Sequence, residues 1–86
     1  MPEVCSFHGI KIVFSYRDHL PPHFHAIYGD DEATILLDDL ALDDGWLPRR
    51  ALRLVLEWAA IHQAELAQVW ELARAQEPLG RIDPLE

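Results

Sequence analysis

From Pro48 to Gln76 the chain runs without an internal glycine or proline and is rich in Ala, Leu, Glu, Gln and Arg. Pro48 suits the first turn of a helix, where its missing N–H costs nothing. The composition therefore predicts one long helix from Pro48 to about Gln76, with a break near Gln63-Ala64 as the open alternative. A main apolar stripe recurs at helical spacing through Leu47, Ala51, Leu54, Val55, Trp58, His62, Leu66, Val69 and Ala73, and needs a layer to lie on. In an 86-residue chain only the N-terminal half is left to supply that layer, so residues 1–86 form one domain with one modest core. Trp58, mid-stripe, is the surest core residue.

The N-terminal half reads as strands. Val4 to Phe7 and Ile10 to Phe14 flank His8-Gly9, a two-residue hairpin turn in which Gly9 supplies the positive φ. Ser15 to Pro22 is a loop, Phe24 to Tyr28 a third strand, and Gly29-Asp30-Asp31 a second turn into Glu32 to Leu37. Asp38 to Trp46 carries another turn near Asp43-Asp44-Gly45, with a short strand about Leu40 to Leu42 as an open option. The predicted class is α+β: a small antiparallel meander of about four strands packed against the C-terminal helix.

No apolar stretch approaches the roughly 20 residues that a bilayer span needs, and no basic leader precedes an apolar run. A lone Cys5 can make no internal disulfide and fits a reducing cytoplasm. Fifteen acids against seven bases leave a net charge of −8, so nonspecific attraction to RNA or DNA is not favoured. The charge is uneven, however. Asp30, Asp31, Glu32, Asp38, Asp39, Asp43 and Asp44 are followed by a basic cluster of Arg49, Arg50 and Arg53.

The densest chemistry lies in Asp18-His19-Leu20-Pro21-Pro22-His23-Phe24-His25. If a strand starts here, its period of two puts His23 and His25 on one face and Phe24 on the other. That face suits a metal, a phosphate or a proton-transfer site. His19 or Asp18 would complete a metal set with His23 and His25, since imidazole suits zinc, copper, nickel and iron. Histidines beside Pro-Pro also serve simply to bond the loop backbone.

Two features of the helix ask for partners. Arg49 and Arg50 at a helix start oppose the macrodipole, so they should be paired with Asp43 and Asp44 or should join Arg53 in an anion site. Leu52, Leu56, Ile61 and Trp70 lie beside the main stripe, giving more apolar surface than one sheet covers. They predict an interface with a homodimer mate or a small protein.

The ordered run Asp18-His19, Pro21-Pro22-His23-Phe24-His25, Tyr28-Gly29, then Leu47-Pro48-Arg49-Arg50-Ala51-Leu52, Glu57-Trp58-Ala59 and His62 to Leu66 resembles the bacterial domain of unknown function family 4160. The resemblance covers nearly the whole chain. It implies a short cytoplasmic protein, often encoded beside another small gene in a toxin–antitoxin-like arrangement. Carried over by position, it marks His19, His23, His25, Arg49, Arg50, Glu57, Trp58 and His62. This chain departs from the pattern at Ile27, where a basic residue is usual, and at Val69, where Asn is usual.

Three functions follow as expectations. The first is a toxin–antitoxin-like component acting through protein–protein interaction, with no cofactor. The second is a ribonuclease-type toxin, in which His23 and His25 exchange protons and Arg49 or Arg50 neutralises the phosphate, with Asp18, His19, Arg53 and His62 around that polar site. The third is a divalent metal-binding domain using His19, His23 and His25.

Overall fold

The computed structural model describes residues 1–86 as an α+β fold. Five strands, β1 (Glu3–Phe7), β2 (Ile10–Val13), β3 (His23–Tyr28), β4 (Asp31–Leu36) and β5 (Leu42–Gly45), pair in sequence order as an antiparallel meander. Two helices follow, α1 (Arg49–Ile61) and α2 (Gln63–Arg74). No helix is long and apolar enough to cross a membrane.

Local chemistry sets the first hairpins. His8 and Gly9 both take positive φ, 49° and 79°, the combination that matches a two-residue turn to the twist of its strands. Gly29 and Asp30 close the next hairpin so that Tyr28 faces Asp31 and His25 faces Thr34. Alternation then sorts the side chains. Ile10, Ile12 and Phe14, Phe24 and Ala26, Ala33 and Ile35 are buried on one face, where Trp58 of α1 packs on Phe24 and Phe7 at ring separations of 6.1 and 5.5 Å.

The fifth strand lies later than expected, at Leu42–Gly45 rather than about Leu40 to Leu42. Its position depends on Gly45, at φ +78°, where an added Cβ would stand 2.1 Å from the Glu32 carbonyl oxygen. Only glycine lets the two backbones approach so closely, a case where local turn propensity yields to strand pairing.

The long helix is divided. A straight helix from Pro48 to Gln76 would measure about 40 Å, more than the 33 Å longest dimension of the molecule. His62 breaks it, with ψ of 22° and its N–H shared between the Trp58 and Ala59 carbonyls. The Gln63 side-chain amide donates to the Leu37 and Asp38 carbonyls at 2.7 and 3.1 Å, tying the start of α2 to the end of β4. α2 finishes where Gln76 at φ +58° sends its N–H to Ala73 and the Glu77 N–H to Leu72, a Schellman closure.

The turned chain then runs back as an extended tail. Leu79 and Ile82 are buried in the core, the Ile82 N–H donates to the Val4 carbonyl at 2.8 Å, and the Trp58 indole N–H donates to the Asp83 carbonyl at 2.8 Å. Cys5 is buried in β1, and burial pushes its thiol above the ordinary range. That makes it a packing residue rather than a nucleophile.

Candidate functional site

The sheet face turned away from Trp58 carries His23 and His25, with Phe24 on the opposite face. The loop after β2 folds over that face and delivers Asp18. Its Oδ2 lies 2.8 Å from His23 Nε2 and 2.8 Å from His25 Nε2. Ligand-type atoms of Asp18, His23 and His25 all fall within 4.8 Å of one another. His23 is buried, and His25 and Asp18 are largely covered.

Each imidazole is also held from behind. His23 Nδ1 lies 2.7 Å from the Pro21 carbonyl oxygen, which can only accept, so Nδ1 carries the proton. In the neutral ring Nε2 then presents a lone pair, yet it faces a carboxylate oxygen that also only accepts. The arrangement is satisfied in two ways: His23 carries both ring protons, or a cation sits where the Nε2 proton would be. His25 Nδ1 lies 3.3 Å from the Thr34 hydroxyl and 3.6 Å from a Glu32 carboxylate oxygen. These are outer partners of the kind that fix the tautomer and aim of metal-binding histidines.

Asp18 is ionised by its neighbours. Partial burial opposes its charge, but hydrogen bonds from His25 and His23 and their proximity outweigh that and hold its carboxyl below the usual carboxylate range. Its other oxygen accepts from the His19 N–H at 3.2 Å. His19 itself is at the rim, its side chain 87 % exposed and its ring 5.6 Å from that of His23. On the inner side the Trp70 ring of α2 lies 5.3 Å from the His23 ring.

Arg49, Arg50 and Arg53 do not join this cluster. Arg50 shares a cleft with Ile10 and Tyr28 on the helix-bearing side. Tyr28 is five residues along β3 from His23, about 17 Å at strand rise, and the sheet separates the two groups. A shared histidine–arginine phosphate site is therefore not formed. Nor do Arg49 and Arg50 pair with Asp43 or Asp44; the single arginine ion pair is Arg81 with Glu3. His62 belongs to the helix break, bonded to Glu65 at 2.6 Å.

The interface set is also redistributed. Trp70, 3 % exposed, packs inward against His23 and is no docking residue. Leu52 and Leu56 are half-buried against the core, and Ile61 is 65 % exposed. Pro21, Thr34 and Glu32 were the residues of the site that sequence reasoning missed. Thr34 had a signal: with Gly29-Asp30 as the turn, its place opposite His25 follows by counting back along both strands.

Residues 9–71 match the domain of unknown function DUF4160. The chain belongs to this family. The DUF4160 match spans β2 through most of α2 and includes Asp18, His23, His25, Glu32 and Thr34. β1 and the C-terminal tail lie outside it. No curated protein and no solved structure matches the chain.

Proposed function

We propose that this DUF4160 chain is a small metal-binding domain whose centre is Asp18, His23 and His25, taking a divalent first-row transition ion such as zinc or iron(II). The observation that carries the reading is the aim of His23: Nδ1 is committed to the Pro21 carbonyl, and Nε2 points at the Asp18 oxygen that His25 Nε2 also meets. In an occupied site of this kind, donor atoms about 2.1 Å from the ion stand about 3.0 to 3.4 Å from one another. Separations of 2.8 Å reach that spacing with a shift of a few tenths of an ångström. Two histidines and one carboxylate leave coordination positions open, which suits a reactive centre as well as a structural one. His19 stands at the open side and is the residue able to swing in as a fourth ligand.

The test is direct. Protein stripped with chelator and titrated with Zn²⁺ or Co²⁺ should take up about one ion per chain, with a rise in melting temperature. His23→Ala and Asp18→Asn should abolish uptake, whereas His19→Ala should weaken it only moderately. Equal uptake by wild type and both ligand variants, or none by wild type, would overturn the reading. In the second case the cluster is a histidine–carboxylate hydrogen-bond network that pins the loop to the sheet.

A second reading has its own support. Ala67, Gln68, Glu71 and Leu72 of α2, with Ala75 just past its end, form an exposed, mostly apolar strip. This strip fits the cytoplasmic toxin–antitoxin-like partnership that the family resemblance implies. Co-expression with the product of an adjoining small gene should give a complex that Leu72→Glu dissociates; separate elution of the wild-type proteins would refute it.

A further inference from the structure

β5 and the segment after it form an unusual edge. All four residues of Leu42–Gly45 are exposed, and Trp46, which follows, is 61 % exposed. Leu42 pairs in register with Ile35, whose side chain is on the helix-bearing face, so Leu42 is turned to that side as well. The segment thus offers two apolar side chains around two carboxylates, Asp43 and Asp44.

A few residues on, α1 offers the complement. Arg49, Arg50, Leu52, Arg53 and Leu56 line one groove on its outer surface. None of the three arginines has an ion-pair partner, although the chain carries a net charge of −8. Asp43 and Asp44, a few residues upstream, do not fold back onto them, and Glu57 one turn on forms no ion pair with Arg53. Gly45 is fixed to Ala33, and the Trp46 N–H is held by the Glu32 carbonyl at 3.0 Å.

We propose that two copies of the chain associate about a two-fold axis, the Leu42–Trp46 edge of each lying on the Arg49–Leu56 groove of the other. Because the two patches are joined by only Leu47 and Pro48, they are neighbours on the surface, and one axis between them satisfies both at once. The contact is isologous and closes at the dimer. Asp43 and Asp44 meet the free guanidinium groups, Leu42 meets Leu52 and Leu56, and Trp46 is the anchor of the kind that dominates such interfaces. Pairing of β5 with β5 is the competing arrangement, and it would set carboxylates against carboxylates. This dimer does not depend on metal at the histidine cluster.

Multi-angle light scattering on the full chain, with and without chelator, reads the outcome. The wild type should have twice its 9.9 kDa chain mass at tens of micromolar, with association weakening as salt is raised. Arg49→Glu/Arg53→Glu and Asp43→Arg/Asp44→Arg should each be monomeric, and an equimolar mixture of the two should restore the dimer, since both halves of the mixed interface are again complementary. Trp46→Ala, a change at an exposed side chain that keeps the fold, should weaken the wild-type dimer by about tenfold or more. A monomeric wild type overturns the proposal whatever the variants do. So does a dimer that both charge reversals and Trp46→Ala leave intact, or a folded mixture that stays monomeric.

Discussion

Asp18 joins a loop to a strand through two histidines, and its charge is what both rings address. The sign of its contribution follows from the direction of its shift. Its folded carboxyl is more acidic than in the unfolded chain, so the stabilisation is full above the unfolded value of about 4 and is lost as pH falls through the folded one. In chelator-treated protein, Asp18→Asn should lower the unfolding free energy near neutrality by about 1.5 to 3 kcal/mol, the usual range for a hydrogen bond to a charged group. The variant should also show a shallower loss of stability below pH 4. Urea unfolding across that range tests both; parallel curves for wild type and variant would mean that Asp18 contributes nothing through its charge. The cluster was legible in the sequence because its donors are close in the chain: Asp18 to His25 is one loop and one strand start. The place of Arg49 and Arg50 was not. Sequence puts basic residues at a helix start, but which end and which face of the sheet that start meets is decided by the packing of the whole helix.

The elements divide in the same way. The turns at His8-Gly9 and Gly29-Asp30-Asp31 and the helical stripe through Trp58 depend on neighbours a few residues away and are legible, although Asp31 proves to be the first residue of β4 rather than part of the turn. The division at His62 depends on where the sheet ends, and the position of β5 depends on a backbone 12 residues upstream of Gly45. The sequence leaves a break near Gln63-Ala64 open, where α2 starts, but nothing local decides that it occurs or where β5 lies. A comparison of two glycines isolates the second effect. Gly29 also has positive φ, 60°, but nothing lies within 4 Å of its would-be Cβ, whereas at Gly45 the Glu32 oxygen is 2.1 Å away. Both Gly→Ala changes carry the conformational cost of about 1 kcal/mol for a left-handed residue. Gly45→Ala should cost clearly more and should free the Trp46 amide, raising its hydrogen exchange, while Gly29→Ala leaves that amide protected. Equal costs would mean that β5 holds its place without the close approach.

At the scale of the molecule, the sheet has two edges treated differently. β5 is open, and β1 is covered by the tail, with Ile82 bonded to Val4 and Arg81 3.3 Å from Glu3. Both β1 and the tail lie outside the family match of residues 9–71, yet they close over Trp58 at the centre of the core. Removal of residues 78–86 would uncover that edge, leave the Trp58 indole N–H without its acceptor, and expose the core where Leu79 and Ile82 were buried. Burial of such side chains is worth about 1.5 to 3 kcal/mol each, against a total of roughly 5 to 15 kcal/mol for a domain. The truncated chain should therefore melt well below the full one, and a substantial part of it should be unfolded at 37 °C. The Asp18, His23 and His25 cluster proposed to hold an ion sits on the outer sheet face, under the Ser15–Pro22 loop, and its hydrogen bonds and ion pairs involve no residue of the tail. Ion binding should then act on the truncated chain only by mass action, adding about 2.7 kcal/mol at one hundred times the dissociation constant. Zn²⁺ titrated into truncated protein, followed by circular dichroism, should recover folded signal that rises with ion concentration and then levels off, and Asp18→Asn in the same background should abolish the recovery. A truncated chain as stable as the full one would show that β1 and the strands beyond it hold Trp58 in place unaided.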